Sequence, residues 1–318
     1  MAGESLLGND RVLPTHTTST RRPDLLAYDL ASDDIEILLE AEYGSFSPAE
    51  FADSEYFTFE SDGRPETPAE AVSQDPSETM EIGALLYDSG ARPSPLIVNP
   101  HGGPYSRNSD TFSYRTQFLL QRGFSVLQVN YRGSTGRGRS FVEAIYDDWG
   151  GAEQGDIASG VEHAFDAHEW LDDDHVVVYG GSYGGYSAYW QLVQYPALYA
   201  AGIASVGVTD LRDMYENTMA HFRTELPEKN LGTPAENPGL YAERSPVTHV
   251  ENLAAPLLVL HGVNDRRVPV SQARIFRDAL DEHGFTESED GREGEYEYHE
   301  LGEEGHGFSD IDQKIRGV

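Results

Sequence analysis

The sequence predicts an α/β protein built on a mostly parallel sheet with helices on both faces. From about residue 80 onward, short apolar runs rich in β-branched residues alternate with longer amphipathic stretches. Strands that are buried on both faces of a parallel sheet have this near-continuous apolar character, and the amphipathic stretches have the length of helices. A second observation agrees with this class: the segment GGSYGG, residues 180–185, joins one apolar run directly to one amphipathic stretch.

Six apolar runs are predicted to be the strands of this sheet. They lie at 94–100, 124–131, 175–180, 199–207, 255–262 and 296–302. The amphipathic stretches predict helices at about 111–122, 152–168, 183–194 and 271–283.

Ahead of this region the sequence predicts two further strands, at 56–61 and 81–89. The segment between them, 62–80, is rich in Pro, Ser, Asp and Glu, which indicates an exposed insertion in a hairpin. Residues 24–40 have strand-like ends around a polar turn. A single hairpin of this kind cannot bury its own face.

The 318-residue chain is strongly acidic, with 55 Asp and Glu against 22 Lys and Arg and a formal net charge of -33 at pH 7. This charge repels phosphate backbones and anionic membranes, which excludes nucleic acids and lipid surfaces as partners. The acidic residues are scattered over the whole length, as is typical of proteins from salt-loving microbes. At 1 M salt the Debye length is about 3 Å, so self-repulsion is screened. We therefore expect a halophilic protein that loses its fold on dialysis to low salt; an ordinary acidic protein is the alternative.

Several classes of site and segment are missing from the sequence. The absence of cysteine excludes disulfides, thiol catalysis and thiolate metal sites. The N-terminus lacks the pattern of a signal peptide, and no apolar run approaches the roughly 20 residues that span a bilayer. The glycine-rich GSTGRG, 133–138, has neither dinucleotide-binding spacing nor a P-loop lysine. We expect a soluble, cytoplasmic protein without a metal or organic cofactor, and its state as a possible homo-oligomer stays open.

Ser182 is the candidate nucleophile. It is the serine of a G-x-S-x-G pattern that begins at the end of a predicted buried strand and opens directly into a predicted helix. This strand, sharp turn and helix form a nucleophile elbow, in which strand and helix approach so closely that side chains two positions on either side of the serine would collide. The alternative is a glycine-rich structural turn with an incidental serine.

A serine hydroxyl needs a base and an acid to become a good nucleophile, and in this fold they follow it in the order acid, then histidine. Asp265 lies in a short loop directly after the predicted strand at 255–262, and Asp210, after the preceding strand, is its competitor. His306 lies between two glycines in the loop after the last strand, whereas His283 and His299 fall within a predicted helix and a predicted strand. We predict that His306 is the general base and that Asp265 orients it.

Acyl transfer also needs hydrogen-bond donors aimed at the developing oxyanion. The motif HGGP follows the strand at 94–100, and glycine there leaves backbone N–H groups exposed. The N–H groups of Gly103 and Tyr183 are the candidates. The alternative is an ordinary Gly-Pro turn.

With these residues the chain resembles the prolyl oligopeptidase family of serine peptidases, in particular its acylaminoacyl-peptidase and dipeptidyl-peptidase branch. The matching motifs, in order, are HGGP, NYRGSTGRGR, DDWGGAEQGD, GGSYGGY, SPVTHVENLAAPLLVLHGVNDRRVP and GEEGH. The resemblance implies an α/β-hydrolase fold over residues 51–318. It also implies a triad and an oxyanion hole at the residues identified above. The resemblance further implies that four residues line an apolar pocket for the residue before the scissile bond: Val208, Leu211, Met214 and Val268.

The sequence departs from the family pattern at both ends and at His101, where some members carry a tyrosine hydroxyl. Residues 1–50 resemble at most a remnant of the family's β-propeller, and the helix that follows the histidine in the family is expected to be missing here. We expect a serine peptidase that cleaves short peptides through an acyl-enzyme. The alternatives are a carboxylesterase with the same triad and an inactive truncated relative.

Overall fold

The structure is a computed structural model, and it describes residues 5–6, 10–64, 77–288 and 293–310. Within these residues the strands are β1 Ser5–Leu6, β2 Arg11–Leu13, β3 Thr15–Thr18, β4 Arg21–Asp29, β5 Ile35–Leu39, β6 Ser54–Ser61, β7 Met80–Tyr87, β8 Ser94–Val98, β9 Ser125–Asn130, β10 Leu171–Gly181, β11 Ala201–Ser205, β12 Leu257–Gly262 and β13 Tyr296–Leu301.

The described α-helices are α1 Tyr114–Gln121, α2 Arg139–Glu143, α3 Ala152–Ala167, α4 Tyr183–Gln194, α5 Leu211–Asn217, α6 Ala220–Arg223, α7 Lys229–Leu231, α8 Pro238–Glu243 and α9 Ser271–Glu282. Three 3₁₀ segments, Pro48–Glu50, Pro196–Leu198 and Pro246–Asn252, and one π-helical turn, Thr224–Glu228, complete the set. No helix in the described ranges combines the length and the apolar character that crossing a membrane requires.

The main sheet has eight strands in the order β13-β12-β11-β10-β8-β9-β7-β6. The pairs from β13 through β9 are parallel, and β7 and β6 are added antiparallel at one edge. The predicted mostly parallel α/β architecture is therefore confirmed. Because the strand order reverses around β8 and β10, the loops after these two central strands lie side by side at the carboxyl edge of the sheet.

Helices cover both faces of this sheet. On one face, α3, α4 and α9 pack on the larger core, into which Val98, Val178 and Val259 point. On the other face, α1 contributes Leu120 to a smaller core with Tyr179. The alternation follows from the period of two along each strand, which sends successive side chains to opposite faces.

The N-terminal strands form a separate antiparallel sheet, in the order β1-β2-β4-β3 with β5 paired to the free side of β4. The predicted hairpin at 24–40 corresponds to β4 and β5, and all five residues of β5 are exposed. The division of the chain at residue 50 stays a prediction. Most of the predicted insertion at 62–80, residues 65–76, lies outside the described residues. The residues after 310, where the family's helix is predicted to be missing, also lie outside them.

Candidate active site

Ser182 sits on a strained turn between β10 and α4. Its backbone has φ 59° and ψ -121°, a conformation that non-glycine residues seldom adopt and that is retained where the surroundings enforce it. A Cβ on Gly180 would lie 1.9 Å from the carbonyl oxygen of Gly184, and one on Gly184 would lie 2.3 Å from the carbonyl oxygen of Pro100. Gly180 is therefore required by the close approach of β10 and α4, and Gly184 by the close approach of α4 to the loop after β8.

The two other glycines of the elbow differ in their surroundings. A Cβ on Gly185 would lie 2.7 Å from the carbonyl oxygen of Ser205, which is too close for a real side chain. For Gly181 the nearest atom would be that same oxygen at 3.7 Å, an ordinary contact. The steric explanation thus holds for three of the four glycines, and Gly181 does not need to be glycine for reasons of space.

The structure brings Ser182, His306 and Asp265 together in one hydrogen-bonded line. His306 Nε2 lies 2.9 Å from Ser182 Oγ, and His306 Nδ1 lies 2.7 Å from Asp265 Oδ2. The carboxylate of Asp265 is fully buried, whereas the imidazole keeps 19% of its surface exposed. An imidazole held in this way can accept the hydroxyl proton at Nε2 while the carboxylate accepts from Nδ1–H.

Backbone contacts hold the aspartate and the histidine in place. Asp265 Oδ1 accepts hydrogen bonds from the N–H groups of Arg267, at 2.8 Å, and Val268, at 3.0 Å. The histidine loop packs so closely on the end of β12 that a Cβ on Gly262 would lie 2.2 Å from the carbonyl oxygen of Gly305. The N–H of Asn264 donates to the carbonyl of Glu304 at 2.8 Å, which ties the two loops together.

The competing residues lie in other structural roles. Asp210 is the N-cap of α5, where its Oδ1 accepts from the N–H groups of Arg212 and Asp213. His283 caps the C-terminus of α9. His299 lies on β13, as the sequence predicted.

The HGGP loop lies against the elbow. A Cβ on Gly102 would be 3.4 Å from Ser182 Cβ and 4.0 Å from its Oγ. Gly103 has φ +130°, and a Cβ there would lie 2.7 Å from the backbone nitrogen of Tyr105, so this position requires glycine. Tyr183 opens α4, where the first N–H groups of a helix have no partner within the helix. Both predicted oxyanion donors thus belong to segments that adjoin the serine.

His101 is a buried member of the same loop. Its ring stacks on Tyr131 with 4.3 Å between centroids, and its Nε2 lies 2.8 Å from Ser134 Oγ. Burial lowers the pKa of His101 to about 4, so the ring is neutral at pH 7. The side chain therefore fastens the HGGP loop to the loop after β9, and it does not place a hydroxyl where some family members have one.

Comparison with known proteins identifies the family. A model of the prolyl oligopeptidase family matches residues 110–318 of the chain. The chain belongs to the prolyl oligopeptidase family. Among curated relatives, dipeptidyl aminopeptidase BIII of Pseudoxanthomonas mexicana is 32% identical over 220 residues, covering 66% of this chain and 32% of the relative. The human acylamino-acid-releasing enzyme is 32% identical over 216 residues, covering 63% of this chain and 29% of the relative.

Solved structures support the fold. A crystal structure of a puromycin hydrolase superposes with a TM-score of 0.84 at 24% identity, covering all of this chain and 45% of that one. An acylaminoacyl peptidase of Pyrococcus horikoshii superposes with a TM-score of 0.76 at 24% identity, covering 93% of this chain and 44% of that one. The predicted α/β-hydrolase fold is thus confirmed. The chain spans about a third of the length of these curated relatives and less than half of these solved structures.

The four residues predicted to line the substrate pocket of this prolyl oligopeptidase family member lie close to the carboxyl edge. Val208, Leu211, Met214 and Val268 are all buried, and none exposes more than 5% of its surface. They belong to the large core on the α4 face, in segments that follow β11 and β12. Their role as a pocket wall stays a prediction.

Sequence reasoning assigned no role to Glu153, which lies beneath the elbow. Its side chain is fully buried and accepts hydrogen bonds from the Tyr183 hydroxyl at 2.7 Å and from the N–H groups of Gly150 and Gly151 at 2.6 and 3.0 Å. Burial, and then the neighbouring carboxylate of Asp148, raises the pKa of Glu153 to about 7. The signal in the sequence is an acidic residue directly after WGGA, at the start of an otherwise amphipathic helix.

Proposed function

We propose that this chain is a serine peptidase that hydrolyses short peptides through an acyl-enzyme. The observation that carries the proposal is the hydrogen-bonded line from Ser182 Oγ through His306 to Asp265, placed on a strained elbow. Its membership of the prolyl oligopeptidase family supports the same reaction. The names of the relatives, a dipeptidyl aminopeptidase and an acylamino-acid-releasing enzyme, agree with peptides as the substrate class.

In the first step the serine oxygen attacks the scissile carbonyl while His306 Nε2 takes its proton. Asp265 then faces a cationic imidazolium and stabilises it, since its buried carboxylate already accepts a hydrogen bond from Nδ1. The negative charge that develops on the carbonyl oxygen would be met by the N–H groups of Gly103 and Tyr183. His306 returns the proton to the leaving amine, and water repeats the sequence to release the acyl group.

A fluorophosphonate probe tests the nucleophile. We expect the wild type to be labelled at Ser182 and Ser182→Ala to lose the label together with about 10⁶-fold in turnover. Ser140→Ala, which removes an exposed hydroxyl on α2, is the matched control and should keep both. Failure of the wild type to react, with a native circular dichroism spectrum in molar salt, would identify an inactive relative.

The same protein separates peptidase from esterase activity. Peptide anilides and short-chain aryl esters share the acyl-transfer machinery but differ in the leaving group that His306 must protonate. We expect turnover of the anilides, with the loss of both activities in Ser182→Ala. Turnover of esters alone would assign the chain to the esterases.

A further inference from the structure

A polar cavity of about 430 Å³ lies at the carboxyl edge of the sheet, on the face that α1 covers. Its walls include two arginines, Arg107 and Arg115, and three side-chain amides, Asn99, Asn108 and Gln128. Arg107 and Asn108 belong to the segment that continues from the HGGP loop. The cavity is therefore built partly from the same stretch of chain as the predicted oxyanion donor Gly103.

The charge of this cavity is opposite to that of the chain as a whole. No Asp or Glu is among its lining residues, although the chain has 55 acidic residues. The adjacent Asp110 accepts hydrogen bonds at Oδ1 from the N–H and hydroxyl of Ser19, so its carboxylate is bound to the N-terminal part of the chain. A cavity of similar size, about 400 Å³, contains Arg64 together with four carboxylates, those of Glu60, Asp62, Glu162 and Asp166.

Within the described residues, Arg107 and Arg115 form no ion pair, and the guanidinium of Arg115 lies 4.9 Å from the ring centroid of Tyr179. A guanidinium presents several N–H donors in a planar fork that fits a carboxylate. Two arginines among the lining residues of one cavity, with no Asp or Glu among those residues, are suited to an anion supplied from outside.

Hydrogen bonds fix two of the three amide side chains of this wall. Asn99 donates to the carbonyl of Tyr179 at 2.6 Å, and Gln128 donates to Asn99 at 3.2 Å. The N–H of Asn108 donates to Asn130 at 2.7 Å, while its side-chain Nδ2 is buried and has no hydrogen-bond partner in the described part of the chain. The wall is thus held in shape and retains an unused donor.

The position of the cavity relates it to the leaving group. Ser182 follows β10, which lies between β8 and β11. The predicted acyl-side residues follow β11 and β12, whereas Asn99 follows β8 and Gln128 lies on β9. A substrate that spans the serine therefore extends its leaving-group part over β8 and β9. Arg107 is four residues after Gly103, so even a fully extended chain separates the two residues by no more than roughly 14 Å. A few substrate residues span this distance.

We propose that this cavity binds the C-terminal carboxylate of the peptide, on the leaving-group side of the scissile bond. The inference rests on the proposed function and adds the substrate class: short peptides with a free C-terminus. A chain of net charge -33 repels a peptide carboxylate. The two arginines of the cavity offset this repulsion where the carboxylate binds. Charge-assisted, bidentate hydrogen bonds then give the preference for the free acid.

Calorimetry on Ser182→Ala tests the proposal without turnover. Two peptides, the free acid of tetraalanine and its C-terminal amide, are each titrated into the protein at the same salt concentration. We expect the free acid to bind about tenfold more tightly, the size of one charge-assisted hydrogen bond. The preference should disappear when Arg107→Gln and Arg115→Gln are added and persist with Arg64→Gln, which removes an arginine from the acidic cavity.

Each alternative result is decisive. Equal affinity for acid and amide, no binding of the free acid, or a preference that the double arginine change leaves intact overturns the proposal. Ala-Ala-Ala-Glu amide, which carries its carboxylate on a side chain, should bind as weakly as the tetraalanine amide. If it binds as tightly as the free acid, the cavity does not select the C-terminal carboxylate and the proposal is overturned. The comparison of acid with amide needs no arginine variant, so it stands if that variant does not fold. Fluorophosphonate labelling of the wild type separately decides the proposed function.

Discussion

At the scale of single residues, the elbow depends on the missing side chain at Gly180. A methyl group there would lie 1.9 Å from the backbone oxygen of Gly184, and a backbone atom cannot move aside as a flexible side chain can. We expect Gly180→Ala to destabilise the fold by about 1–3 kcal/mol, the usual cost of overpacking, and to lower fluorophosphonate labelling of Ser182. Denaturant midpoints in molar salt measure the first effect.

Gly181→Ala is the matched control, because its methyl group would lie 3.7 Å from the nearest atom, the carbonyl oxygen of Ser205. The backbone φ of Gly181 is also not in the left-handed region. This control should change the midpoint much less than Gly180→Ala. Equal effects of the two substitutions would mean that close approach of strand and helix is not the reason for the glycine at 180.

Glu153 gives the protein a pH-dependent stability that can be isolated. The pKa of Glu153 in the fold is about 7, above the ordinary value of 4.5, so its neutral form stabilises the fold below pH 4.5 and this contribution is lost as the pH rises through 7. Between these values the wild type should lose about 3 kcal/mol of unfolding free energy relative to Glu153→Gln, whose side chain does not ionise. Urea unfolding of both proteins at several pH values measures the difference. A constant difference between pH 4.5 and 7 would contradict the raised pKa.

The residues of the candidate site differ in how well the sequence predicts them. Ser182, Asp265 and His306 could be chosen because each follows a strand at the same edge of the sheet, and the order of strands along the chain fixes which loops meet there. Glu153 could not be chosen, because its importance comes from burial under the Tyr183 side chain. The cavity with Arg107 and Arg115 is formed by packing between segments distant in sequence, which no local pattern records.

At the scale of elements, a buried ion pair joins three segments of the fold. Arg132, which follows β9, meets Asp156 of α3 in a bidentate pair with both N–O distances 2.8 Å, and both side chains are buried. Ser61 of β6 donates to the same carboxylate at 2.6 Å. Removing one member of such a pair leaves an uncompensated buried charge.

We expect Asp156→Ala to destabilise the fold by about 3–5 kcal/mol. Glu143→Ala is the control, since it removes an i,i+4 pair with Arg139, whose side chain is 87% exposed, and should cost less than about 1 kcal/mol. Denaturant midpoints at one salt concentration compare the two. Similar midpoints for both variants would show that the buried pair does not join these elements energetically.

The sequence predicts regular elements better than irregular ones. The strands and long helices of the main sheet agree with their predicted positions to within a few residues, because their apolar periodicity is strong. β10 begins earlier than predicted, at Leu171, since its polar start pairs with β8 across an irregularity between Asp172 and Val176. The short helices α5–α8 were not predicted: each is shorter than the window over which helical periodicity is read.

At the scale of the whole molecule, two electrostatic effects of salt oppose each other. Exposed ion pairs such as Arg11 with Glu36 and Arg92 with Asp88 weaken as salt rises. Repulsion among the acidic residues also weakens, and the excess of acidic over basic residues, 55 minus 22 or 33, makes this second effect the larger one. Added salt should therefore stabilise the protein.

The melting temperature should rise steeply with KCl, because the Debye length falls from about 10 Å at 0.1 M to about 3 Å at 1 M, which screens the repulsion among the acidic residues. We expect the fold to be lost on dialysis to low salt and to return when molar KCl is restored, as followed by circular dichroism. Sucrose is excluded from protein surfaces but screens no charge, so it separates screening from general stabilisation. If sucrose restores the fold as well as KCl does, or if the melting temperature is the same at 0.1 M and 1 M KCl, self-repulsion is not what limits the stability of this chain.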